Sequence, residues 1–446
     1  MKKVITYGTY DMLHYGHIRL LERAKALGDY LIVGVTADDF DKKRGKINTR
    51  QSLFERVEAV RNTGLADKII IEEYEGQKID DIKNYKVDVF AIGSDWIGKF
   101  DYLKNYCEVV YLERTSGISS SQLRQEDKSV RLGYWGDSTT IAKYIKQTDY
   151  VNGLVKTGIY SHSRECFEKL VSENDGVEFY DDKTKFLDNV DAVYLMEDLD
   201  NQYNQAKDIL LSGKSVLCGD LPCKTISEFD ELCNIAETGN LSFMTSIKTA
   251  YAIAYHRLLL LIETGIIGEV VDIKATCTSL TQNRLDDADW NSLCEWGPIA
   301  MLPIFQILGT NYKKKSIVTE YIDKEKKKDK FTSINFVYNN ATATIFVSKN
   351  VKSEGTLVIS GTKGCIYVPA PWWKTDYFEV HFEDSDENKK FFFQLDGEGI
   401  RNVLLQFYTN IVNAKNDSYV DKNVLRNIIG VIEDYYLEKD VDILNK

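Results

Sequence analysis

Residues 3–35 read KVITYGTYDMLHYGHIRLLERAKALGDYLIVGV: an apolar run, a glycine-bearing turn, a helical stretch and a second apolar run. Within the helical stretch, Ile18, Leu20, Leu21, Ala24 and Leu27 keep the 3.6-residue period of one broad apolar face. Two short strands joined through a helix lie parallel, since an antiparallel pair needs only a tight turn. The alternation goes on with a helix over about 52–62 and the strands KIIIEE, VDVFAIG and CEVVYL, ending near Leu123. Strands spaced by helix-length segments predict a parallel sheet with helices on its faces.

Beyond the polar linker RQEDKS the pattern starts again. Strands VRLGYWG, GLVKTGIYS, DAVYLM, SVLCG and LSFMTS alternate with helices around 140–146, 163–173, 202–213 and 227–238, giving a second parallel unit over about 129–249. The final third changes character. Segments EVVDIKATCTSL, FTSINFVYN, ATATIFVSK, GTLVISGTKG and YFEVHFED are rich in β-branched and aromatic residues and predict a mostly antiparallel sheet. The helical runs GIRNVLLQFYTNIVNA and, after Asp421, KNVLRNIIGVIEDYYLEK are expected to fold back on an earlier unit.

A chain of 446 residues exceeds what one core holds, so two or three domains are expected. The net charge of −12 argues against a general nucleic-acid binder, which must gather phosphates over its surface. No run is apolar for long enough to cross a bilayer, and the start leads straight into a strand rather than a secretory leader. Eight cysteines without a CxxC pair fit free thiols in a cytoplasmic protein.

Two of the five histidines, His14 and His17, stand three residues apart at the start of a helix, with Gly16 between them. Glycine lets backbone approach a ligand closely, and the first amides of a helix favour an anion. His14 and His17 would donate N–H bonds to phosphate oxygens, where charge gathers during phosphoryl-type transfer. The bland alternative is that one histidine packs or caps. With Asp11 the pair lacks a further histidine for a zinc set and does not match HExxH, so no metal site is assigned.

Residues 2–38, from the first strand through GTYDMLHYGH to the second, resemble the glycerol-3-phosphate cytidylyltransferase branch of the HxGH nucleotidyltransferases. GSDWIGKFDYLK from Gly93, CEVVYLERT from Cys107 and GISSS from Gly117 fit as well, so the likeness covers about 1–125. HxGH alone suits adenylyl transfer to pantetheine phosphate, nicotinamide mononucleotide or flavin; RTSGISS favours CTP. The resemblance implies that Gly8, Thr9, Tyr10, Asp11 and Gly16 join His14 and His17 in cradling the CTP triphosphate. Lys46 and Arg114 would neutralise it, and Gly117, Ile118, Ser119 and Ser120 would close over the nucleotide. Trp96, Lys99 and Asp101 match a region near the acceptor. Mg²⁺ would be held mainly by the nucleotide's own oxygens. One departure stands out. Gly64 occupies a position that is basic in the family; Arg56 is retained, and Arg61, one helical turn back, is the residue that would substitute.

From Val130 onward the chain resembles the glucose–fructose oxidoreductase and inositol dehydrogenase family, through VRLGYWG, VDAVYLMEDLDNQYNQAKDILLSGKSVLC and LIETGIIGEVVDIKA. That likeness implies an NAD(P) cofactor. Of the glycines a dinucleotide turn needs, only Gly136 stands; Asp137, Ser138 and Ile141 add charge, a side chain and bulk. The Glu-Lys positions of the family's catalytic motif fall on Gly219 and Asp220, and its later Asp and His on Glu295 and Ile299. These changes weigh against a tightly bound cofactor and against hydride transfer. Ser161, Ser163 and Arg164 in YSHSRE would suit an NADP phosphate, or are plain surface residues; Lys224 is a further polar neighbour, and His256 reads as a buried or partner-facing histidine.

Together the likenesses imply an α/β chain. It would hold a Rossmann-like HxGH nucleotidyltransferase domain (1–125), a dinucleotide-binding-like Rossmann domain (129–249) and an α+β domain with a mostly antiparallel sheet (250–446). The expected reaction transfers CMP from CTP to a polyol phosphate, glycerol phosphate or a related alditol phosphate, for a cell-surface polymer. The second region would be a degenerate oxidoreductase with a structural or ligand-binding role. The alternatives are a reductase that makes the polyol phosphate and a non-enzymatic dimerisation scaffold. A homodimer is expected, with APWWKTDYF as either an interface patch or the internal face of the sheet.

Overall fold

In a computed structural model, the described residues are 1–13, 15–37, 51, 53–73, 76–113, 129–136, 140–174, 176–280, 291–393 and 395–444, without the side chains of 95, 166 and 396. They divide into two compact units, Met1–Ser129 with Tyr150–Gly153, and Val130–Asp149 with Leu154–Lys446. No helix among them is long and apolar enough to cross a membrane.

In the first unit the opening apolar run forms β1 (Lys3–Gly8) and the amphipathic stretch α1 (Tyr15–Lys25), followed by β2 (Tyr30–Thr36). Next come α2 (Leu53–Asn62), β3 (Lys68–Glu72), α3 (Gln77–Tyr85), β4 (Val89–Gly93) and β5 (Glu108–Leu112). The five strands pair in parallel in the order β3-β2-β1-β4-β5. Neighbours on each strand face opposite layers. Val4, Val33 and Ala91 join Leu21 and Ala24 of α1 on one side, while Ile5, Ile32 and Phe90 join Ile82 of α3 on the other. Each large apolar side chain so buried contributes about 1.5–3 kcal/mol, opposed by the chain entropy lost on ordering. Helix α3 escapes the hydropathy pattern because its inner face is largely polar: Gln77, Lys78 and Asp81 are buried beside Ile82.

In the second unit the renewed alternation gives β6 (Val130–Trp135), α4 (Ile141–Thr148), β7 (Leu154–Tyr160), α5 (Arg164–Ser172), β8 (Glu178–Tyr180) and α6 (Lys183–Asp188). It continues through β9 (Ala192–Leu195), α7 (Leu199–Leu211), β10 (Ser215–Cys218), α8 (Ile226–Thr238) and β11 (Phe243–Thr245). The sheet order is β11-β10-β9-β6-β7-β8, all parallel. The order turns back between β6 and β9, where such folds open a crevice at the carboxyl ends of their strands. Strand β8 and helix α6 are too short to show a period in the sequence.

Helix α9 (Ile253–Glu263) leads into a nine-stranded sheet, with α10 (Ser292–Leu308) lying on one face. In chain order its strands are β12 (Val270–Thr278), β13 (Lys314–Asp323), β14 (Lys328–Val337), β15 (Thr342–Ser348) and β16 (Leu357–Gly361). Then follow β17 (Cys365–Val368), β18 (Tyr377–His381), β19 (Lys389–Phe392) and β20 (Val441–Leu444). Pairing is antiparallel except for β12 with β15 and β13 with β20. Helices α11 (Ile400–Asn413) and α12 (Lys422–Tyr436) do fold back, α11 onto α4 and α12 onto α8 and α10. The APWWKTDYF patch turns inward: Trp372 is fully buried, its indole N–H donating to Thr276 O at 3.1 Å, and Phe378 is fully buried too. This leaves the internal-face alternative standing, because the aromatic surface packs within the fold.

Candidate active site

At the carboxyl end of β1 the backbone makes an unusual turn. Tyr10 and Met12, neither of them glycine, adopt φ of +54° and +50°, a left-handed conformation that persists only where surroundings over-determine it. Two polar anchors supply that constraint. The buried Arg56 of α2 donates to Thr9 O at 2.7 Å, to Thr36 O at 2.8 Å and to Gln51 O at 3.2 Å. The buried Asp11 carboxylate accepts from Gln51 N at 3.0 Å, and Gln51 Oε1 accepts from Met12 N at 2.7 Å. The turn, the end of β2 and the approach to α2 are thereby tied together.

The Tyr10 ring lies beneath this turn, 1% exposed. A Cβ at Gly8 would sit 3.0 Å from that ring, so this glycine makes room for the protein's own tyrosine. Burial holds the Tyr10 hydroxyl well above its ordinary range. The half-buried His17, in the first turn of α1, meets the Tyr10 ring edge-on, with centroids 5.6 Å apart. Gly16 precedes it in the same turn, half-buried. Thus Gly8, Thr9, Tyr10, Asp11, Gly16 and His17 come together at one helix N-terminus. His14, Lys46, Arg114, Gly117, Ile118, Ser119 and Ser120 lie outside the described residues.

The segment after β4 begins at the neighbouring carboxyl end, where Leu20 of α1 reaches Gly93. Trp96 is half-buried against Phe100 at 5.7 Å, and Lys99 Nζ stands over the Trp96 ring at 5.3 Å. Asp101 is exposed; bonds from Lys104 and from Tyr111, whose hydroxyl donates at 2.8 Å, hold its carboxyl below the usual range. Sequence reading did not single out a buried pair, Lys78 with Glu72, that connects these parts. Thr36 Oγ1 donates to Glu72 at 2.9 Å, and Lys78 Nζ lies 4.4 Å from the Tyr7 ring centre and 5.5 Å from that of Phe100. The only hint in the sequence is Lys78 sharing a helix face with Ile82. Gly64 takes φ +68° just past the end of α2, which explains glycine there, and Arg61 pairs with Glu58 on the surface.

In the second unit Gly136 follows β6 with φ +137°, and a Cβ there would lie 1.9 Å from Met196 O. Asp137 and Ser138 lie outside the described residues. The other groups that would hold a dinucleotide are engaged elsewhere. The buried Ser161 hydroxyl accepts from Ser163 N at 2.9 Å, Arg164 rests on the Phe179 ring at 5.2 Å, and Ile141 is fully buried. At the positions the sequence likeness assigns to hydride chemistry, Gly219 and Asp220 follow β10, the exposed Glu295 pairs with Lys349, and Ile299 is buried in α10. These positions depart from the dinucleotide-binding and catalytic pattern that the sequence likeness implies. His256, its ring 4.2 Å from that of Tyr419, is lowered to about 4 by burial and is therefore neutral; Lys224 pairs with Asp200.

Asp220 itself is part-exposed yet closely surrounded. Burial pushes its carboxyl up to about 7, with Lys248 pulling it down and Glu295 pushing it further up. Against 3.8 for a free side chain, the folded chain keeps a proton that the unfolded chain has lost, so stability falls as pH rises through that window. Asp220→Asn cannot ionise. It is expected to raise the Tm at pH 8 and to change it little at pH 4, a contrast that calorimetry at the two values reads directly. Among the described residues no group of three or more His, Cys, Asp and Glu could hold a metal ion.

The sequence pattern of the cytidylyltransferase-like family matches residues 5–126. A glycerol-3-phosphate cytidylyltransferase from Bacillus spizizenii is 51% identical over 130 residues, which cover 29% of this chain and 100% of that protein. One from Staphylococcus aureus is 49% identical over 131 residues, 28% of this chain and 95% of its own length. The remainder is similar in fold to a 3-ketoreductase from Actinomadura kijaniata solved with NADP and TDP-benzene. That likeness has a TM-score of 0.64 at 13% identity and covers 71% of this chain and 99% of the other. Through its first unit, with the rigid GTYD turn and His17 at its centre, the chain therefore belongs to the glycerol-3-phosphate cytidylyltransferase family, and it carries an oxidoreductase-fold region behind it.

Proposed function

We propose that the first unit, as a catalytic domain of residues 1–125, transfers CMP from CTP to glycerol phosphate or a related alditol phosphate, for a cell-surface polymer. One observation carries this reading: the left-handed GTYD turn, clamped by Arg56 and Asp11, delivers His17 to a helix N-terminus. An acceptor phosphate oxygen forms a bond to the α-phosphorus of CTP, and the bond from that phosphorus to the bridging oxygen breaks, releasing pyrophosphate. The acceptor is already charged at neutral pH, so the reaction needs positioning and positive charge rather than a covalent intermediate. His14, His17, Lys46 and Arg114 take the catalytic roles. Gly8, Thr9, Tyr10, Asp11, Gly16 and Gly117–Ser120 take the nucleotide, and Trp96, Lys99 and Asp101 the acceptor. A Mg²⁺ ion would be carried on the triphosphate oxygens.

The test is pyrophosphate release by the purified chain with CTP or ATP against a panel of phosphorylated alcohols. Release with CTP and glycerol 3-phosphate or another alditol phosphate is the expected result. Release with ATP alone, or with none of the alditol phosphates, would overturn the assignment. The oxidoreductase-fold region is read as non-redox, because the family's Glu-Lys and His positions carry Gly219, Asp220 and Ile299 and only one glycine of the dinucleotide turn stands.

A further inference from the structure

Strands β9, β10 and β11 end side by side, with Cys218 in register with both Leu195 and Thr245 and Ser246 N donating to Cys218 O at 2.9 Å. Their carboxyl ends bring Tyr194, Asp220 and Ser246 to one place. Tyr144 of α4 stacks on Tyr194, rings 3.8 Å apart and nearly parallel. The hydroxyls of Tyr194 and Ser246 are buried and make no hydrogen bond of regular geometry, although Ser246 lies beside Asp220, Tyr144 and Tyr194. Buried hydroxyls left so are costly, and each can both donate and accept. They are matched by a ligand that brings hydroxyls of its own.

Beside them, Lys248 borders Asp220 and also donates to Glu398 at 2.8 Å. Lys374 reaches the same Glu398 at 2.9 Å and Lys143 at 3.6 Å. Three ammonium groups thus converge on one carboxylate. The local excess of positive charge suits an anionic group, for which ammonium ions are strong partners.

We propose that the side-chain cluster around Asp220 binds a hydroxyl-bearing phosphate ester without any dinucleotide, its hydroxyls meeting Asp220, Ser246 and Tyr194 and its phosphate the lysines around Glu398. The inference stands apart from nucleotidyl transfer by the first unit. It is tested by hydrogen–deuterium exchange on the full chain with glycerol 3-phosphate, glycerol, inorganic phosphate and NADPH as probes. Glycerol 3-phosphate is expected to slow exchange in residues 243–251 and 397–402. Asp220→Asn and, separately, Ser246→Ala are expected to raise the concentration needed about tenfold, the scale of one lost charged or neutral hydrogen bond. No slowing in these segments, equal slowing by inorganic phosphate alone, or slowing only when NADPH is present would each overturn it. Slowing within residues 1–37 by CTP reports on the first unit separately, so failure of one site is not mistaken for failure of the other.

Discussion

Replacing His17 with alanine is expected to lower kcat with CTP and a polyol phosphate by about a hundredfold or more, while the KM for CTP stays within a few-fold. The imidazole stands in the first turn of α1, braced edge-on by Tyr10, where helix amides already favour negative charge. Ground-state binding of the triphosphate is shared among many groups. Charge that builds only as the α-phosphorus is attacked depends on the few donors aimed there. The cost therefore falls on turnover, and steady-state assays at saturating CTP read it. An unchanged kcat would end the role assigned to His17.

The second large effect is one of stability. Arg56→Met is expected to destabilise the first unit by about 3 kcal/mol, because it strips partners from three carbonyl oxygens at about 1 kcal/mol or more each. The same change frees the Thr9 end of the left-handed turn, so the KM for CTP should rise as well. Arg56→Lys is the informative companion. An ammonium lacks the flat fork that reaches Thr9 and Thr36 together, so it should recover only part of the loss. Denaturant unfolding of the first unit, followed beside CTP titration, distinguishes the outcomes. Equal stability of the methionine variant and the parent would show that the turn holds itself.

Much of this architecture is legible in the chain because apolar residues report which face is buried. Strands β1, β2, β4, β9 and β10 and helices α1, α2, α8, α11 and α12 all lie where periodicity places them. Helix α3 was hidden for the opposite reason: its inner face carries Gln77, Lys78 and Asp81, whose bonds to Ile71 O, Glu72 and Tyr7 no hydropathy pattern reveals. Arg56 was similarly opaque, since one arginine among many basic residues does not announce that three carbonyls await it. The parallel pairs β12–β15 and β13–β20 join segments distant in sequence, and local turn signals cannot specify them. GTYD and HYGH identify the candidate site, yet the reason for Gly8 emerges only from the position of the Tyr10 ring.

Glu398 sits just ahead of α11, and its lysine partners come from α4, from the segment after β11 and from the segment before β18. Burial alone would push its carboxyl up, but bonds from Lys248 and Lys374 outweigh that and bring it down to about 2. The support these pairs give is complete above the ordinary glutamate range and fades progressively as pH falls from there to about 2. A single acidic side chain thus acts as a rivet through three separate segments of the chain, its carboxylate still charged under mild acidification.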